Sequence, residues 1–419
     1  TFEMEAQKTS GESQYAKIVQ IVRKAQQEKA PIQRLADKFA VWFTPIVITV
    51  SLLGWLITQN TTTILAVLVV ATPCPLIFAT PTGIISGINR AAKNGIVVKT
   101  GTAIEQLGKA KAIFFDKTGT ITYGIPKLEY LKPIGNIEPD ILLRNLAGIE
   151  QMSSHPAAKS VLILAEGKFG KLPNPENFHE MPGAGVEGDI EGQHIVVGSE
   201  NVFLKMNSKL SEDIQNAKTQ IDSNGKMLAF VTINGNLSGI LIFSDLIRPD
   251  VESMIHRLNN LGIKKATMLT GDNLKNANNI AEKAGIPTVH ANLLPEQKVD
   301  IVKKAKEQYG NVIMVGDGIN DAPSLATATT GIAMGYGGTA ISAATSDIVL
   351  LVDDITKVAT AVEISQHTSK IVKQGIIFGI GASFVLMGFA SLGYISPGYG
   401  ALFQEILDVT VILNALRAR

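Results

Sequence analysis

Hydrophobic and charged positions are distributed very unevenly along the chain. Between Phe39 and Asn89 there is no Asp, Glu, Lys or Arg, and this uncharged run is long enough for two membrane crossings of about 20 residues each. The polar segment TQNTTT (58–63) divides the run and predicts a helical hairpin. The alternative, a pair of buried core helices, is disfavoured by the length of the run and by its basic flanks.

A second uncharged run covers 374–404, is broken at ISPGYG (395–400) and resumes after Glu405, which predicts a second hairpin. Basic residues precede and follow each of the two runs, whereas the short loops within the runs have none. These basic residues are Lys29, Arg34, Lys38, Arg90, Lys93, Lys99, Lys370, Lys373, Arg417 and Arg419. The positive-inside rule therefore predicts cytoplasmic termini, a cytoplasmic middle segment and short loops outside.

The middle of the chain alternates between short apolar runs and amphipathic stretches. Strands are predicted at 111–116, 237–245, 265–272, 312–317 and 330–335. Helices such as 248–262 and 295–310 lie between them, with Pro near the start and Gly at the end. This alternation predicts a parallel sheet covered by helices on both faces, interrupted by an inserted domain from about residue 122 to 236.

Composition supports a membrane protein and limits its partners. The 419 residues are 46% hydrophobic and 18% charged, with a mean hydropathy of +0.21. Lys and Arg (38) nearly balance Asp and Glu (37), so no electrostatic footprint for nucleic acid exists. Cys74 is the single cysteine and excludes an internal disulfide. Because Thr1 is not an initiator Met, we expect an excerpt of a longer protein.

Three carboxylates follow apolar strands: Asp116, Asp272 and Asp317. Each alone is more often a helix cap or a turn residue. In a parallel doubly wound sheet, however, strand ends line one edge where ligands bind. We therefore expect a metal and phosphate site at that edge, with Thr118 and Thr270 beside it.

Mg²⁺ prefers a few hard oxygens together with substrate phosphate. Asp116 and Asp317, with the backbone oxygen of Thr118, fit this preference, and Asn320 and Asp321 lie nearby in sequence.

One carboxylate, Asp116, can then attack a γ-phosphate. Repulsion between the anions must be neutralised, by Mg²⁺ on one side and by Lys298 on the other. Thr270 and the backbone of Gly119 could donate hydrogen bonds to the phosphoryl oxygens, and 117–120 would form a tight polar loop holding phosphate.

These motifs resemble a known family. DKTGT (116–120), TGD (270–272) and GDGINDAP (316–323) are similar to the signature set of P-type ATPases, whose phosphorylation domain folds like haloacid dehalogenases. ATPCPL (71–76) resembles the Cys-Pro motif of the heavy-metal-transporting branch. The resemblance implies an α/β fold plus membrane helices: a Rossmann-like phosphorylation domain, an inserted α+β nucleotide-binding domain and two transmembrane hairpins.

The resemblance also assigns site residues. Those implied for catalysis are Asp116, Lys117, Thr118, Thr270, Lys298 and Asp317. EQMSSHP (150–156) and GAGVEG (183–188) are similar to the branch's nucleotide-binding segments. The nucleotide-binding residues so implied are Glu150, His155, Gly183, Gly185, Asp245, Arg248 and Asp272. For Asp245 and Arg248, an N-cap and first-turn pair is nearly as good an account.

The expected domains are the end of an actuator domain with a stalk helix (1–36), a hairpin with the Cys-Pro motif (37–95), a phosphorylation domain (96–121 and 237–365), a nucleotide-binding domain (122–236) and a C-terminal hairpin (366–419). TSGES (9–13) is rejected as the actuator's dephosphorylating loop, because that loop lies far upstream of the Cys-Pro segment in the family. The chain is expected to bind nucleotide without completing a transport cycle.

The residue types of TPCP (72–75) indicate an ion path independently of the resemblance. Two prolines in one membrane segment remove backbone donors and expose carbonyl groups, which marks an ion path. Cys74 adds a soft ligand, and Thr72 stands where the family's copper pumps typically carry a first Cys. A proline kink with a packed small Cys is the alternative.

In the last apolar segment, Glu405 and Asp408 lie three residues apart and are candidate ion ligands, although both could be interfacial. Met387 is more often a packing residue than a ligand. One thiolate with two carboxylates favours a divalent ion such as Zn²⁺, Cd²⁺ or Co²⁺ over Cu⁺.

The sequence thus predicts an ATP-driven exporter of heavy-metal cations in the cell membrane, with ATP and Mg²⁺ as cofactors and a metal donor protein as a further candidate partner. A copper(I) pump is the nearest alternative. A membrane-tethered aspartyl phosphatase would carry an acid/base Asp where Thr118 stands. A non-catalytic metal sensor is the third alternative.

Overall fold

The computed structural model describes residues 31–72, 74–153, 155–181, 185–204, 214, 226–317, 321–334 and 345–419. Segment 9–13 and the candidate residues Gly183 and Asn320 lie outside these ranges. The chain divides into two compact units. The first contains Thr1–Asp116, Glu252–Thr267 and Leu294–Arg419, and the second contains Lys117–Val251 and Met268–Leu293.

Thirteen helices have described bounds: α1 Pro31–Thr58, α2 Thr61–Val70, α3 Cys74–Lys93, α4 Gly101–Gly108, α5 Pro139–Glu150, α6 Pro156–Glu166, α7 Glu200–Leu204, α8 Val251–Asn260, α9 Leu274–Ala284, α10 Pro295–Tyr309, α11 Ala322–Thr327, α12 Thr356–Ser391 and α13 Pro397–Leu416. The strands in the described ranges are β1 Ile96–Val98, β2 Ala112–Asp116, β3 Thr122–Pro133, β4 Glu176–Met181, β5 Gly185–Ile190, β6 Gln193–Gly198, β7 Met227–Ile233, β8 Asn236–Ile247, β9 Lys265–Leu269, β10 Thr288–His290, β11 Val312–Gly316, β12 Thr330–Met334 and β13 Ile348–Leu350.

Two helices, α12 and α13, are long and apolar enough to cross a membrane. Their apolar side chains are largely exposed, with Ile377 at 73% and Val385 at 59%. A core helix of a water-soluble protein would bury such side chains, so this exposure fits lipid contact and disfavours the core-helix alternative. At 36 residues, α12 is about 54 Å long, which exceeds a hydrocarbon layer of about 30 Å.

The first uncharged run forms most of α1, all of α2 and most of α3. Asn60 caps α2 by accepting a hydrogen bond from the backbone N–H of Thr62. Helix α2 ends at Val70, residues 71 and 72 are not helical, and α3 begins at Cys74. In this run, among the residues whose side chains are described, the shorter apolar helical stretches are Trp42–Thr58 and Thr61–Val70.

Small residues let α3 and α12 approach closely. A Cβ atom added to Gly87 would lie 2.3 Å from Oγ1 of Thr368, and one added to Gly83 would lie 2.6 Å from Cγ2 of Val372. Membrane helices associate through this kind of close packing because lipid tails are as apolar as their side chains.

A seven-stranded sheet has the order β1-β13-β12-β11-β2-β9-β10. β2, β11, β12 and β13 are paired in parallel, with Phe115 opposite Val315, while β1 pairs with β13 antiparallel. All five residues of β2 and of β11 are buried, as expected when helices cover both faces. This register brings Asp116, the last residue of β2, beside the end of β11, which confirms the predicted edge for these two strands.

The second sheet is antiparallel, with the order β3-β8-β7-β6-β5-β4. The prediction that 237–245 forms a strand is confirmed, but its assignment to the parallel sheet was wrong. β8 pairs antiparallel with β3 and with β7. A short apolar run has no feature of its own that distinguishes a parallel from an antiparallel partner, because it records burial and not pairing direction.

Helices α5 and α6 pack against one face of this sheet in an apolar core that includes Leu142, Leu146 and Val161. Gly148, two residues before the end of α5, lies against the loop before β4 and the end of β5. A Cβ atom there would lie 2.6 Å from Cδ1 of Ile190 and 2.8 Å from the carbonyl oxygen of Pro173.

Replacing Gly148 with Ala should destabilise the second unit by about 1–3 kcal/mol, because the added methyl group overpacks this contact. Helix propensity alone would give the opposite sign, since Ala stabilises a helix interior relative to Gly. Gly167→Ala is the control, because a Cβ atom at Gly167 has no neighbour within 4 Å. Calorimetric unfolding of the purified chain measures both; an equal or higher unfolding temperature for Gly148→Ala would contradict this packing.

Candidate active site

The first candidate cluster is centred on Asp116, whose side chain points from the end of β2 into a buried environment. The Nζ of Lys298, from the first turn of α10, donates hydrogen bonds to Oδ1 of Asp116 (2.6 Å) and to Oδ1 of Asp321 (2.8 Å). Asp116, Lys298 and Asp321 are 6%, 8% and 1% exposed. One ammonium group thus bridges two buried carboxylates.

Gly316 makes this arrangement possible. It is the last residue of β11, and a Cβ atom on it would lie 2.9 Å from Oδ2 of Asp321 and 3.0 Å from Cβ of Asp321. The Asp321 carboxylate can therefore pack directly against the strand end. Asp317 follows Gly316 immediately, which places a further acidic residue at this edge.

The electrostatics of the cluster favour an added cation. Burial, together with the negative charges of Asp321 and Asp317 and against the opposing effect of Lys298, raises the pKa of Asp116 to about 7. Burial also disfavours the ammonium form of Lys298, but Asp116 and Asp321 outweigh that effect and raise the pKa of Lys298 above its ordinary value. Negative charge therefore exceeds positive charge around Asp116 among the groups described there.

The loop after Asp116 has the tight form expected of 117–120. Thr118 has an extended backbone (φ −78°, ψ 128°) and Gly119 a left-handed one (φ 73°). A residue with a Cβ atom is strained in that conformation, which explains the glycine. The side chain of Thr118 is exposed, while Thr120 is buried.

Lys117 belongs to a second cluster, within the second unit. Its ammonium group donates to carboxylate oxygens of Asp245 and Asp272. Burial favours neutral Lys117, but the hydrogen bonds with these two carboxylates raise its pKa. Asp272 also accepts a hydrogen bond from Nδ2 of Asn276 at 3.0 Å. In this structure the Lys117 side chain pairs with these two carboxylates, and its predicted role at the phosphate stays a prediction.

The capping interpretation of Asp245 and Arg248 is wrong. Asp245 lies within β8, and α8 begins only at Val251. Arg248 instead supports the loop: its Nη2 donates to the carbonyl oxygen of Gly119 at 3.4 Å. Its guanidinium also lies 4.5 Å from the centre of the Tyr123 ring.

Thr270 follows β9 and is 2% exposed. Its backbone N–H donates to the carbonyl oxygen of His290, and its Oγ1 accepts from the N–H of Asp272 at 3.1 Å. The TGD segment is thus held by its own backbone and hydroxyl.

A separate cavity of about 230 Å³ lies in the second unit, beside the antiparallel sheet. Its polar lining includes Glu150 at the end of α5, Ser153, His155 at the start of α6, and Glu180 in β4. Its apolar lining is Ala157, Met181, Val186, Val197, Met227, Leu228, Ala229, Leu241 and Phe243. Predicted nucleotide residues from both segments, Glu150 and His155 from 150–156 and Gly185 from 183–188, therefore meet at one cavity.

Glycine is required at Gly185 on the wall of this cavity. A Cβ atom there would lie 2.1 Å from the carbonyl oxygen of Val197 on the neighbouring strand. Opposite, Nδ1 of His155 accepts a hydrogen bond from the N–H of Ala157 at 3.2 Å. This bond places the proton of the neutral imidazole on Nε2.

Two carboxyl groups meet in the same cavity. Burial raises the pKa of Glu150 to about 7, and the negative charge of Glu180 contributes. Glu180 accepts a hydrogen bond from Oγ of Ser153 at 3.0 Å. Sequence reasoning missed Glu180, which has no signal beyond being an acidic residue just before GAGVEG.

The candidate ion ligands of the membrane region separate in the structure. On α13, Asp408 is half-buried and Glu405 is exposed, so they do not share one packed face. Met387 is 3% exposed and packs with Phe43 and Val47, which fits its packing interpretation. Across the described residues, no group of three or more His, Cys, Asp or Glu side chains could hold a metal ion.

Comparison with known proteins extends these observations. Residues 110–329 match the family model for haloacid dehalogenase-like hydrolases. A probable cadmium-transporting ATPase of Staphylococcus aureus (strain MRSA252) is 36% identical, over 96% of this chain and 57% of its own length. A copper-exporting P-type ATPase of the same strain is also 36% identical, over 100% of this chain and 53% of its own length. The chain therefore spans somewhat over half the length of these relatives.

The crystal structure of a zinc-transporting PIB-type ATPase in its E2.Pi state superposes with a TM-score of 0.80 at 31% identity, covering 98% of this chain and 68% of that one. The match includes the haloacid dehalogenase-like sheet that carries Asp116 and the apolar helices that flank the soluble part. By sequence and by structure, the chain belongs to the heavy-metal-transporting branch of the P-type ATPases.

Proposed function

We propose that this chain couples ATP hydrolysis to the export of a heavy-metal cation through an aspartyl phosphate on Asp116. The observation that carries the proposal is the buried carboxylate of Asp116 at a strand end, bound by Lys298 and accompanied by Asp317 and Asp321. This arrangement suits attack on phosphate, since the nucleophile is fixed in place and its charge is partly balanced before substrate arrives.

In the proposed step, a carboxylate oxygen of Asp116 forms a bond to the γ-phosphorus of ATP while the bond from that phosphorus to the bridging oxygen of ADP breaks. Lys298 would offset the negative charge that gathers between nucleophile and phosphoryl group. Thr270 and the backbone N–H of Gly119 would donate to the phosphoryl oxygens.

The surplus of carboxylate charge at Asp116 fits a divalent cation, and hard oxygens are the ligands Mg²⁺ prefers. Asp116, Asp317 and the backbone oxygen of Thr118 would hold it, with Asn320 and Asp321 nearby. When bound, Mg²⁺ supplies positive charge that neutralises the phosphate.

The nucleotide base would occupy the cavity lined by Glu150, His155 and Gly185, with Gly183 contributing from the same segment. Its combination of apolar walls and a few polar groups is typical of small-molecule sites. Asp245, Arg248 and Asp272 would act together with Lys117, as a charged support for the loop after Asp116.

The phosphatase alternative is disfavoured by Thr118. A hydrolytic enzyme of this fold needs a carboxyl group two residues after the nucleophile to activate water, and a hydroxyl group of ordinary pKa cannot serve as that base. A long-lived phosphoenzyme, as a pump needs, is the expected consequence.

We further propose a divalent cargo of the Zn²⁺, Cd²⁺ or Co²⁺ type, with copper(I) as the alternative. The ligand chemistry at 72–75 and Asp408 supports this choice, because Cu⁺ prefers sites richer in sulfur. Both kinds of transporter occur among the relatives. The basic flanks support cytoplasmic termini in a cell membrane, and a metal donor protein is a candidate partner.

The domain assignment that we propose has an actuator end and stalk at 1–36, a hairpin at 37–95, and a second hairpin at 366–419. The phosphorylation domain would contain 96–121 and the nucleotide-binding domain would begin near 122. The antiparallel pairing of β8 with β3 favours ending the nucleotide-binding domain after β8, at about 247, instead of at 236.

Replacing Asp116 with Asn should abolish acid-stable labelling of the purified chain by γ-labelled ATP and Mg²⁺, because an amide cannot form the acyl phosphate. Asp300→Asn is the matched control, since Asp300 is exposed on the same helix as Lys298. Labelling should be unchanged in the control. Equal labelling of Asp116→Asn and the parent would refute the nucleophile assignment.

Replacing Glu150 with Gln should flatten the pH dependence of stability in the absence of nucleotide. The pKa of Glu150 is raised in the fold to about 7, so ionising it there is unfavourable. Its contribution to stability therefore falls as pH rises from the unfolded pKa, near 4.3, through about 7. The difference between the unfolding temperatures of Glu150→Gln and the parent should therefore shift in favour of the variant as the pH rises from 5 to 8.

Glu166→Gln serves as the control, because Glu166 is exposed at the end of α6. Glu180→Gln should act partly like Glu150→Gln, since it removes the neighbouring negative charge. A parent and a Glu150→Gln variant whose unfolding temperatures differ by the same amount at every pH would contradict the assignment.

A further inference from the structure

Glu180 connects the two predicted nucleotide segments that line the cavity of the second unit. It lies in β4, where it is paired with Val186 of β5, one residue after Gly185. Its carboxylate accepts a hydrogen bond from Oγ of Ser153, in the turn between α5 and α6, at 3.0 Å. Both residues line the cavity and are half-buried. This bond therefore joins the sheet that carries Gly185 to the turn that carries His155.

Ser153 extends this restraint to His155. The backbone N–H of His155 donates a hydrogen bond to Oγ of Ser153 at 3.1 Å, so the same hydroxyl group accepts one hydrogen bond and donates another. A serine hydroxyl can do both at once, whereas an alanine side chain can do neither. The Ser153 hydroxyl is thus held between the carboxylate of Glu180 and the backbone of His155.

His155 needs such support because it stands at the start of a helix and is exposed. It is the N-cap of α6, with an extended backbone (φ −68°, ψ 138°), and Pro156 follows it. The first N–H groups of a helix lack partners within the helix. Here the N–H of His155 donates to Ser153, and that of Ala157 donates to the imidazole. Backbone and ring of His155 are therefore both fixed by hydrogen bonds.

The charge of Glu180 is unfavourable for its neighbour Glu150, which indicates a role beyond packing. After burial, the negative charge of Glu180 is the second cause that raises the pKa of Glu150 to about 7. His155 is the other titratable group in the described lining of the cavity. A neutral side chain in place of Glu180 would avoid the repulsion between the two carboxyl groups. A carboxylate, however, accepts a stronger hydrogen bond from a hydroxyl group than a neutral acceptor does.

We infer that Glu180 is a positioning residue of the nucleotide cavity: through Ser153 it fixes the turn that carries His155, so that the imidazole is in place before ATP binds. This inference rests on the proposed nucleotide site. Glu180 acts through these two residues and not by contact with the base. A site whose groups are fixed beforehand binds more tightly, because less conformational freedom is lost on binding.

The test measures ATP binding to the purified chain by calorimetry, without Mg²⁺ so that no phosphoryl transfer follows. Glu180→Ala and Ser153→Ala should each weaken binding about tenfold, since each removes a hydrogen bond to a charged group. The double variant should bind no more weakly than either single variant, because both changes break the same series of contacts. Glu176→Ala, at an exposed glutamate of the same strand, should leave the affinity unchanged.

Two comparisons distinguish positioning from direct contact with the base. Glu180→Gln should bind ATP within about threefold of the parent, because its amide oxygen still accepts from Ser153, although less strongly than a carboxylate. In a His155→Ala background, Glu180→Ala should cause no further loss, because the residue that it positions is gone. The unfolding temperature shows which variants are folded, and Ser153→Ala keeps the test decisive if Glu180→Ala is not.

The outcomes separate the inference from the function on which it rests. If His155→Ala weakens ATP binding but Glu180→Ala and Ser153→Ala bind like the parent, the inference alone is overturned. The same holds if the loss in Glu180→Ala adds in full to that in His155→Ala, because Glu180 would then contact the base itself. Failure of the parent to bind ATP, or unchanged binding by His155→Ala, would overturn the proposed nucleotide site and the inference with it.

Discussion

The bridge from Lys298 to Asp116 and Asp321 is the interaction on which the candidate active site depends. Two carboxylates at the end of a buried strand pair could not both ionise without it, because each lowers the other's tendency to lose a proton and both are removed from water. The parallel register of β2 and β11 creates this proximity. Gly316 then permits it sterically. The chemistry proposed for Asp116 thus begins with a backbone arrangement.

One ammonium group cannot neutralise two ionised carboxylates, so the bridge carries a surplus negative charge. This surplus suits the proposed function. Lys298 lowers the pKa of Asp116, yet burial and two neighbouring carboxylates still hold it at about 7. A site fully neutralised by its own side chains would gain little from binding a cation. A divalent cation would offset the surplus negative charge, and it would thereby favour both the ionised form of Asp116 and the approach of an anionic phosphoryl group.

Much of this site follows from the sequence, because strand ends in a parallel sheet must share an edge. That rule located Asp116 and Asp317, and the need to neutralise anions pointed to Lys298. It could not identify the partners of Lys117, which are Asp245 and Asp272 at sequence separations of 128 and 155. Pairings of this kind depend on how loops pack. The antiparallel pairing of β8 could not be predicted for a related reason, since an apolar run indicates that a strand is buried but not which strands lie beside it.

The sequence was also insufficient to predict which polar residues of the last membrane helix are buried. Its charge made Glu405 a candidate ligand from the sequence. In the structure, however, Gln404 is buried on α13 and its neighbour Glu405 is exposed. The buried face of α13 includes Gly400, where an added Cβ atom would lie 2.7 Å from Cγ2 of Val70. A neutral amide carries no signal in a hydropathy pattern, but once it is buried with an unsatisfied oxygen it becomes as informative as a charge.

Helix α12 contacts both the helix that leads into β2 and the helix that begins at Cys74. Gly108 at the end of α4, which leads into β2, packs so closely on α12 that an added Cβ atom would lie 2.9 Å from the carbonyl oxygen of Ser365. One turn further along, Thr368 and Val372 lie against Gly87 and Gly83 of α3, the helix that begins at Cys74. Because these glycines bring the helix backbones into close contact, we expect any shift of α4 on the proposed phosphorylation to be transmitted to α12 and α3. A packed, continuous element of this kind is what coupling between a phosphorylated strand end and a membrane ion site requires.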